Sequence, residues 1–219
     1  MRRLIDLSHA IADGTETLRG YPRPMICDYS SREDSRARYA SGTEFHIGRI
    51  DMIANTGTYV DSPFHRFADG ADLSALPLER VADLPAVVVR AEGLGRAIGP
   101  DAFAGVELAG RAVLVHTGHA VHWGTDAYFT GHPFLTRAAA EHLRDAGAVF
   151  VGIDSLNIDD TDDLTRPAHT VLLGAGIPVC EHMTGLEQLP DSGFRLTAAP
   201  VKVEAFGTFP VRAFAVVDG

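Results

Sequence analysis

The sequence predicts an α/β protein, and two local patterns carry that prediction. Thr136 to Ala146 combines a threonine N-cap, strong helix formers and a terminating Gly147, which together are typical of a helix. The apolar run Ala148–Asp154 follows at once, and Val-rich runs also occur at Ala86–Ala91 and Ala112–His116. Continuous apolar runs of this length favour parallel strands that are buried on both faces.

The length and composition favour one ordinary globular domain. The chain has 219 residues, of which 46% are hydrophobic and 22% charged. We therefore expect a single domain over residues 1–219. The net charge of -10 argues against non-specific nucleic-acid binding, which needs clustered Lys and Arg.

No feature of the sequence predicts an association with membranes or export. Asp6 and His9 interrupt any apolar segment near the beginning of the chain, and no run is long enough to span a bilayer. Cys27 and Cys180 form no motif, and we interpret Cys180 as a buried small hydrophobe rather than a nucleophile. We expect reduced thiols and a cytoplasmic protein.

The remaining elements are predicted from composition and breaker residues. They are a strand at Arg3–Ser8, a long surface loop at Asp13–Ser41, a strand at Phe45–Ala54, a short helix opening at Pro100–Phe103, a short helix from Pro167 to about Leu173, and strands at Leu196–Phe206 and Val211–Val217.

The stretch from Asn55 to His65 is the strongest candidate for chemistry. Asn55, Tyr59, Asp61 and His65 stand at even separations, so an extended backbone would place all four on one face. These side chains can bind metal or transfer protons. The alternative is an edge strand with a turn, for which the Gly and Pro residues of this stretch are equally suited.

This stretch resembles the signature of the metal-dependent cyclase family, His-x-Gly-Thr-His-x-Asp-x-Pro-x-His. Gly57, Thr58, Asp61, Pro63 and His65 match it in register. Asn55 and Tyr59 replace the two signature histidines, which are metal ligands in the family. The resemblance implies a swivelling β/β/α fold, with a mixed sheet curled around the site and helices outside, and a homodimer or homotetramer.

The second half of the chain contributes further residues to the resemblance. His169 and, twelve residues later, Glu181 correspond to a ligand His and a ligand Glu of the family. On residue type alone, His169 is more often a hydrogen-bonded structural histidine than a ligand, and its place in the first turn of a helix predicts a neutral imidazole. Glu181 lies in an apolar neighbourhood and needs a partner if it is buried.

Transferred residue by residue, the resemblance implies an intact metal site and a degenerate one. Asp61, His169 and Glu181 keep the ligands of one site, whereas Asn55 and Tyr59 remove two ligands of the other. The expected cofactor is one Zn²⁺ or Mn²⁺ per chain, or none. His65 keeps the acid/base position, and Tyr59 could donate a hydrogen bond to an oxyanion.

Two functions stay open: the resemblance implies the first, and the replacement of two ligands motivates the second. The first is a metal-dependent hydrolase of a small amide, a formamide of the N-formylkynurenine type (the arylformamidase reaction of tryptophan catabolism) or a cyclic amide. The second is a metal-free small-molecule-binding protein that has lost hydrolysis. The partner expected in either case is a small molecule, with no nucleic acid and no membrane.

Three other groups of residues are weaker candidates. Tyr21, His119 and His132 lie in segments that resemble pocket-lining loops of the family. His116, His119 and His122 are spaced at steps of three, but the glycines around them favour a loop rather than a zinc site. The acidic run from Asp154 to Asp163 lacks the EF-hand pattern, so we expect a solvated loop rather than a calcium site.

Overall fold

The computed structural model describes residues 2–218 of the chain. These residues contain thirteen strands, nine of which form one large mixed sheet, while the other four form two two-stranded sheets. The strands are β1 (Arg3–Asp6), β2 (Met25–Ser30), β3 (Ile47–Asp51), β4 (Tyr59–Asp61), β5 (Leu84–Arg90), β6 (Ala97–Ile98), β7 (Ala112–His116), β8 (Phe134–Leu135), β9 (Phe150–Ile153), β10 (Val179–Glu181), β11 (Phe194–Thr197), β12 (Thr208–Pro210) and β13 (Phe214–Val217). The α-helices are α1 (Arg32–Arg36), α2 (Arg137–Asp145) and α3 (Pro167–Gly174). None of the helices within residues 2–218 is long and apolar enough to cross a bilayer.

The strand order of the large sheet is β1-β13-β11-β5-β7-β9-β10-β4-β12. β5, β7, β9 and β10 are parallel to one another, and the outer strands on both sides pair antiparallel. The strands predicted from the Val-rich runs are these central parallel strands, which are buried along almost their whole length. The predicted α/β class is confirmed.

Each face of the sheet carries its own hydrophobic core. On one face, Val113, Val115 and Val151 pack with Leu143 of α2 and Leu172 of α3. The other face is lined by residues of strands from both edges of the sheet, including Ile5, Val60, Leu114, Cys180 and Ala215. Because strands from both edges share this core, the sheet must curl back on itself. Cys180 is fully buried, as expected.

The predicted helix at Thr136–Ala146 is present as α2. The Thr136 hydroxyl accepts a hydrogen bond from the Ala139 amide at 3.2 Å, and Gly147 ends the segment with φ +81°. Ala139, Ala140 and Leu143 face the sheet. Local sequence chemistry was sufficient here because cap, helix formers and stop all lie within twelve residues or so.

Two predicted segments are corrected by the structure. The expected loop at Asp13–Ser41 contains β2 and α1, and β2 pairs with β3 as a two-stranded hairpin outside the large sheet. This hairpin is exposed on both faces, so it lacks the apolar alternation by which strands are recognised. The strand expected at Leu196–Phe206 ends at Thr197, shortly before Pro200, which cannot donate to a strand ladder.

The signature stretch is not extended throughout, as the even spacing of its side chains assumed. Gly57 has φ +67°, only Tyr59–Asp61 forms a strand, and Pro63–His65 forms a 3₁₀ turn. The short strand β4 lies between β10 and β12, and both neighbours pair with it antiparallel. The site is therefore formed by the pairing of β4 with β10 and β12. It is not formed by the alternation of side chains along one extended strand.

Candidate metal centre and active site

Asp61, His65 and His169 converge at one end of β4. The Nε2 atom of His169 is 3.6 Å from Oδ2 of Asp61, and Nδ1 of His65 is 3.6 Å from Oδ1 of the same carboxylate. Within residues 2–218, these three residues form the one group of three or more His, Cys, Asp or Glu side chains whose ligand atoms could hold a metal ion. His116, His119 and His122 form no such group within the same residues.

The buried carboxylate of Asp61 has one oxygen without a partner. Oδ1 accepts a hydrogen bond from the Thr208 hydroxyl, whereas Oδ2 is buried and has no hydrogen-bond partner. Burial alone would raise the pKa of Asp61, but His169, His65 and Thr208 outweigh it and lower that pKa. An anionic oxygen without a hydrogen bond, 3.6 Å from an imidazole nitrogen, fits a cation that would take the place of the His169 proton.

Thr208 fixes the orientation of His65. Thr208 faces Asp61 across the β12–β4 pair and donates its proton to that carboxylate, so Nδ1 of His65, 2.8 Å from the Thr208 hydroxyl, must be the donor of their shared bond. The neutral ring then carries its lone pair on Nε2. Gly207 permits this arrangement, since a Cβ there would lie 2.6 Å from the His65 backbone.

His169 is held by Asp159, a residue of the predicted solvated loop. Asp159 is fully buried, and its Oδ2 lies 2.6 Å from Nδ1 of His169. The same carboxylate accepts from the amides of Ala168 and His169 at 2.6 and 3.1 Å, which caps the N-terminus of α3. A carboxylate behind a histidine fixes the tautomer and directs Nε2 toward a metal.

The solvated-loop prediction is therefore wrong for two of its acids, Asp154 and Asp159, which are both buried. Asp154 accepts from the Thr117 amide and hydroxyl and from the Gly118 amide, at 2.6–2.9 Å. Asp154 thus satisfies backbone N–H groups of the segment after β7, and Asp159 those at the N-terminus of the following helix α3. Their burial could not be read from an acidic composition, which is typical of exposed loops.

The expectation of a neutral His169 is also corrected for the metal-free chain. Burial lowers the pKa of His169, but the charge of Glu181 and contacts with Asp159 and Asp61 outweigh it and raise the pKa to about 10. The helix N-terminus is a weaker influence, because the Asp159 carboxylate already caps it. A cation and a proton would compete for the same Nε2 atom.

Glu181 lies next to this group and is joined to Tyr59. The two residues are directly opposite each other in the β10–β4 pair, and the Tyr59 hydroxyl donates to Oε2 at 2.6 Å. Asn157 contributes a second contact to Oε2 at 3.3 Å, and the Ile158 amide donates to Oε1 at 2.6 Å. Oε1 is also 3.5 Å from Nε2 of His169.

The electrostatics of this pair follow from burial. Burial raises the pKa of Glu181 to about 7, with the charges of His169 and Asp61 acting in opposite directions. Burial, Glu181 and Asp61 raise the pKa of Tyr59 well above its usual value, against a smaller opposite contribution from Asn55. The phenol is therefore protonated and acts as a hydrogen-bond donor.

A cavity of about 490 Å³ opens onto these groups. It is lined by Leu18, Arg19, Tyr21, Asn55, Tyr59, His65, Arg66, Phe129, Leu156, Asn157, Thr161, Arg166, His169 and Glu181. Tyr21 is among the residues that line this cavity. His119 and His132 are buried outside this lining, where each ring contacts a backbone carbonyl, of Tyr128 at 2.9 Å and of Asp159 at 3.0 Å.

Several residues of the site were not identified from the sequence. Thr208, Asp159 and Asn157 carried no recognisable motif, and they reach the site only through the β12–β4 pairing and the folded loop before α3. The arginines that line the cavity, Arg19, Arg66 and Arg166, were likewise not identified from the sequence. The one available signal was the short interval between Asp159 and the N-terminus of the predicted helix, because Asp is favoured near helix N-termini.

Comparison with known proteins shows the family to which the chain belongs. Residues 5–160 match the family model described as "Putative cyclase". A kynurenine formamidase of Salinibacter ruber is 30% identical over 222 residues, which cover 96% of this chain and 95% of the relative. A kynurenine formamidase of Delftia acidovorans is 27% identical over 213 residues, which cover 97% of this chain and 96% of the relative.

A solved structure supports the same assignment. Isatin hydrolase A from Ralstonia solanacearum superposes with a TM-score of 0.83 at 25% identity, covering 99% of this chain and 92% of that chain. The curled mixed sheet with helices outside, expected from the resemblance, is confirmed by this match. The chain, with its converging Asp61, His65 and His169, belongs to the cyclase family.

Proposed function

We propose that this protein is a metal-dependent hydrolase of a small amide, either a formamide of the N-formylkynurenine type or a cyclic amide. The single observation that carries the proposal is the buried, unpartnered Oδ2 of Asp61 beside Nε2 of His169. The kynurenine formamidase and isatin hydrolase names of its relatives support hydrolysis of an amide C–N bond.

One ion per chain, Zn²⁺ or Mn²⁺, suits the donors present. Asp61 and His169 would hold it, with Glu181 as the third ligand, since its Oε1 lies 3.5 Å from Nε2 of His169. A bound ion of this type lowers the pKa of a coordinated water and polarises a carbonyl. This combination of imidazole nitrogen and carboxylate oxygen ligands suits both Zn²⁺ and Mn²⁺.

His65 supplies the proton transfer. The Thr208 contact leaves Nε2 of His65 with its lone pair, and the ring lines the cavity. In the proposed reaction, Nε2 accepts a proton from the attacking water and returns it to the leaving nitrogen. The chain from His65 through Thr208 to Asp61 stabilises the positive charge that the imidazole gains.

Tyr59 and Asn55 occupy the positions of the degenerate second metal site. The Tyr59 hydroxyl already donates a hydrogen bond to Oε2 of Glu181, so this oxygen is not free to bind a second ion. A protonated phenol is a poor metal ligand. This supports one ion rather than two, and it leaves Tyr59 near the cavity as a hydrogen-bond donor.

The alternative function is a metal-free binding protein for small molecules. The observation that favours it is that both oxygens of Glu181 are already hydrogen-bonded within the chain, to Tyr59, Asn157 and Ile158. Such a protein would keep the cavity and bind amides without converting them. Metal content and turnover separate the two functions.

The proposed function is tested with His65→Ala against the exposed His122→Ala as a matched control. With zinc or manganese supplied, the wild type and His122→Ala should hydrolyse formanilides, and His65→Ala should lose about 10²–10⁴-fold in kcat with its metal content intact. Loss of metal from His65→Ala would make His65 a ligand. Absence of turnover on formanilides and cyclic amides by a metal-loaded wild type would favour the binding protein.

We further propose a homodimer or homotetramer in the cytoplasm. The hairpin of β2 and β3 exposes Met25, Ile26, Ile47 and Ile50, and an isolated two-stranded hairpin is marginally stable in water. A second copy of the chain would bury these side chains. Cys27 and Cys180 are free thiols, which supports a reducing compartment. Sedimentation of the wild type and of Ile26→Ser with Ile50→Ser tests the assembly.

A further inference from the structure

Two arginines line the cavity near the beginning of α3. They are Arg66 and Arg166, and Nε of Arg66 donates to the hydroxyl of Thr170 at 3.3 Å. Thr170 is four residues after Arg166, and its amide donates to the Arg166 carbonyl at 2.9 Å, so the two residues lie on the same side of α3. The guanidinium of Arg66 is therefore held at the first turn of the helix that Arg166 precedes.

Neither of these arginines has an acidic partner. Among residues 2–218, no carboxylate lies within ion-pair distance of Arg66 or Arg166, although the charge of Arg166 acts on the exposed Asp163. Arg166 donates to the backbone carbonyl of Asp160 at 2.8 Å, which holds the side chain without supplying a counter-charge. Arg19, the third arginine of the lining, differs because it is paired with Asp126. In a chain of net charge -10, arginines without an ion pair at a cavity favour an anion.

The backbone conformation at Arg166 supports a binding role for its side chain. Arg166 has φ +47°, a left-handed conformation that is unfavourable for residues other than glycine. It stands immediately before Pro167, which begins α3. Strained residues of this kind concentrate at functional sites.

The rest of the lining indicates what the anion is attached to. Leu18, Tyr21, Phe129 and Leu156 contribute apolar surface to the same cavity that contains His65 and Glu181. An apolar, preferably aryl, body would fit between the arginines and the reactive groups. Planar guanidinium groups bind carboxylates with two parallel hydrogen bonds.

We propose that Arg66 and Arg166 bind a carboxylate on the apolar body of the amide substrate, near the beginning of α3. This inference rests on the proposed hydrolase function of the same cavity. It assigns a substrate class, an amide that carries an anionic group away from the bond that is hydrolysed. Neutral amides of the same shape are poorer substrates because the two arginines remain unpaired.

The test uses a pair of substrates that differ only in charge, 4-formamidophenylacetate and 4-formamidophenylacetamide. For the metal-loaded wild type, kcat/KM should be higher for the anion. Arg66→Gln and Arg166→Gln should each lower kcat/KM for the anion on the order of 10- to 100-fold, mainly through KM, and change the neutral amide less than about threefold. Equal losses on both substrates, or no preference in the wild type, would overturn the assignment.

One variant controls for changes in overall charge. Arg144→Gln removes an arginine on α2, outside the cavity lining, so it should not reproduce the loss on the anion. If this control shows the same charge-dependent loss, general electrostatic attraction explains it and the assigned subsite is wrong.

A binding measurement separates this inference from the proposed function. Calorimetric titration with the product amines, 4-aminophenylacetate and 4-aminophenylacetamide, needs no turnover. Tighter binding of the anion that disappears in Arg66→Gln and Arg166→Gln upholds the subsite even if no amide is hydrolysed. Hydrolysis of both amides with anion binding unchanged in these variants upholds the enzyme and overturns the subsite.

Discussion

Tyr59 and Glu181 stand directly opposite each other on β4 and β10, and the phenol donates a 2.6 Å hydrogen bond to the buried carboxylate. Cross-strand neighbours of this kind are held by the sheet itself. In the proposed account, this hydrogen bond replaces a metal contact, because Tyr59 stands where the signature that this stretch resembles has a histidine. This relationship leads to the first two predictions.

Removal of the Tyr59 hydroxyl should affect stability more than chemistry. In Tyr59→Phe, Oε2 of Glu181 keeps only the weaker contact with Asn157 at 3.3 Å. We expect the free energy of unfolding to fall by about 1–3 kcal/mol and metal content to stay unchanged. Denaturant unfolding measures this change. A loss of about 100-fold in kcat at unchanged stability would instead identify Tyr59 as an oxyanion donor.

Restoration of the two signature histidines should create the second metal site. Asn55 and Tyr59 both line the cavity that contains Glu181. The double change Asn55→His with Tyr59→His should raise bound metal from about one to about two ions per chain, by elemental analysis. Asn55→Ala with Tyr59→Phe is the matched control and should gain none. A folded double-His variant without additional metal would show that the supporting contacts are absent.

Thr208 should act through His65 and Asp61 rather than on the substrate. Thr208→Val keeps the shape but removes the hydroxyl that bonds both residues. We expect kcat to fall about 10- to 100-fold, because the tautomer and orientation of His65 are no longer fixed. Thr208→Ser should restore kcat. Activity of Thr208→Val equal to that of the wild type would show that His65 needs no such partner.

The metal-free protein should lose stability as the pH rises from 7 to 9. The pKa of His169 is raised to about 10 in the folded chain, from an ordinary value of 6.5. The folded state thus holds a proton that the unfolded state releases, and this stabilisation is complete below pH 6.5 and is lost toward pH 10. Denaturant midpoints across this range should fall more steeply for the wild type than for His169→Gln.

Bound metal should abolish this dependence, because an ion on Nε2 of His169 replaces the proton. Glu181, whose pKa burial raises to about 7, and Cys180, whose pKa burial also raises, contribute to the same window, so the comparison with His169→Gln is needed to isolate His169. Burial lowers the pKa of His9 and His182 to about 4 and about 3, so these rings titrate at more acidic pH. A wild type that is equally stable at pH 7 and pH 9 without metal would contradict the charged His169.

The sequence predicted those features whose signals are local. The helix α2, the buried central strands and the signature residues Asp61 and His65 all follow from caps, apolar runs or a motif. The comparisons confirm the family and support amide hydrolysis as its chemistry.

Features that depend on tertiary pairing could not be predicted. Thr208 approaches Asp61 only because β12 pairs with β4, across 147 residues of sequence. Asp159 is buried only because the loop before α3 folds over the helix N-terminus. The β2–β3 hairpin lacks a hydrophobic period, since both its faces are exposed within the chain.

The central claim is that Asp61 and His169 hold a metal ion, and metal content tests it most directly. The protein should be purified without chelator and analysed for zinc and manganese, beside Asp61→Asn, which reduces the charge at the unpartnered oxygen. The account predicts about one ion per chain in the wild type and a large loss in Asp61→Asn. No metal in the wild type, even after incubation with excess zinc or manganese, would contradict it.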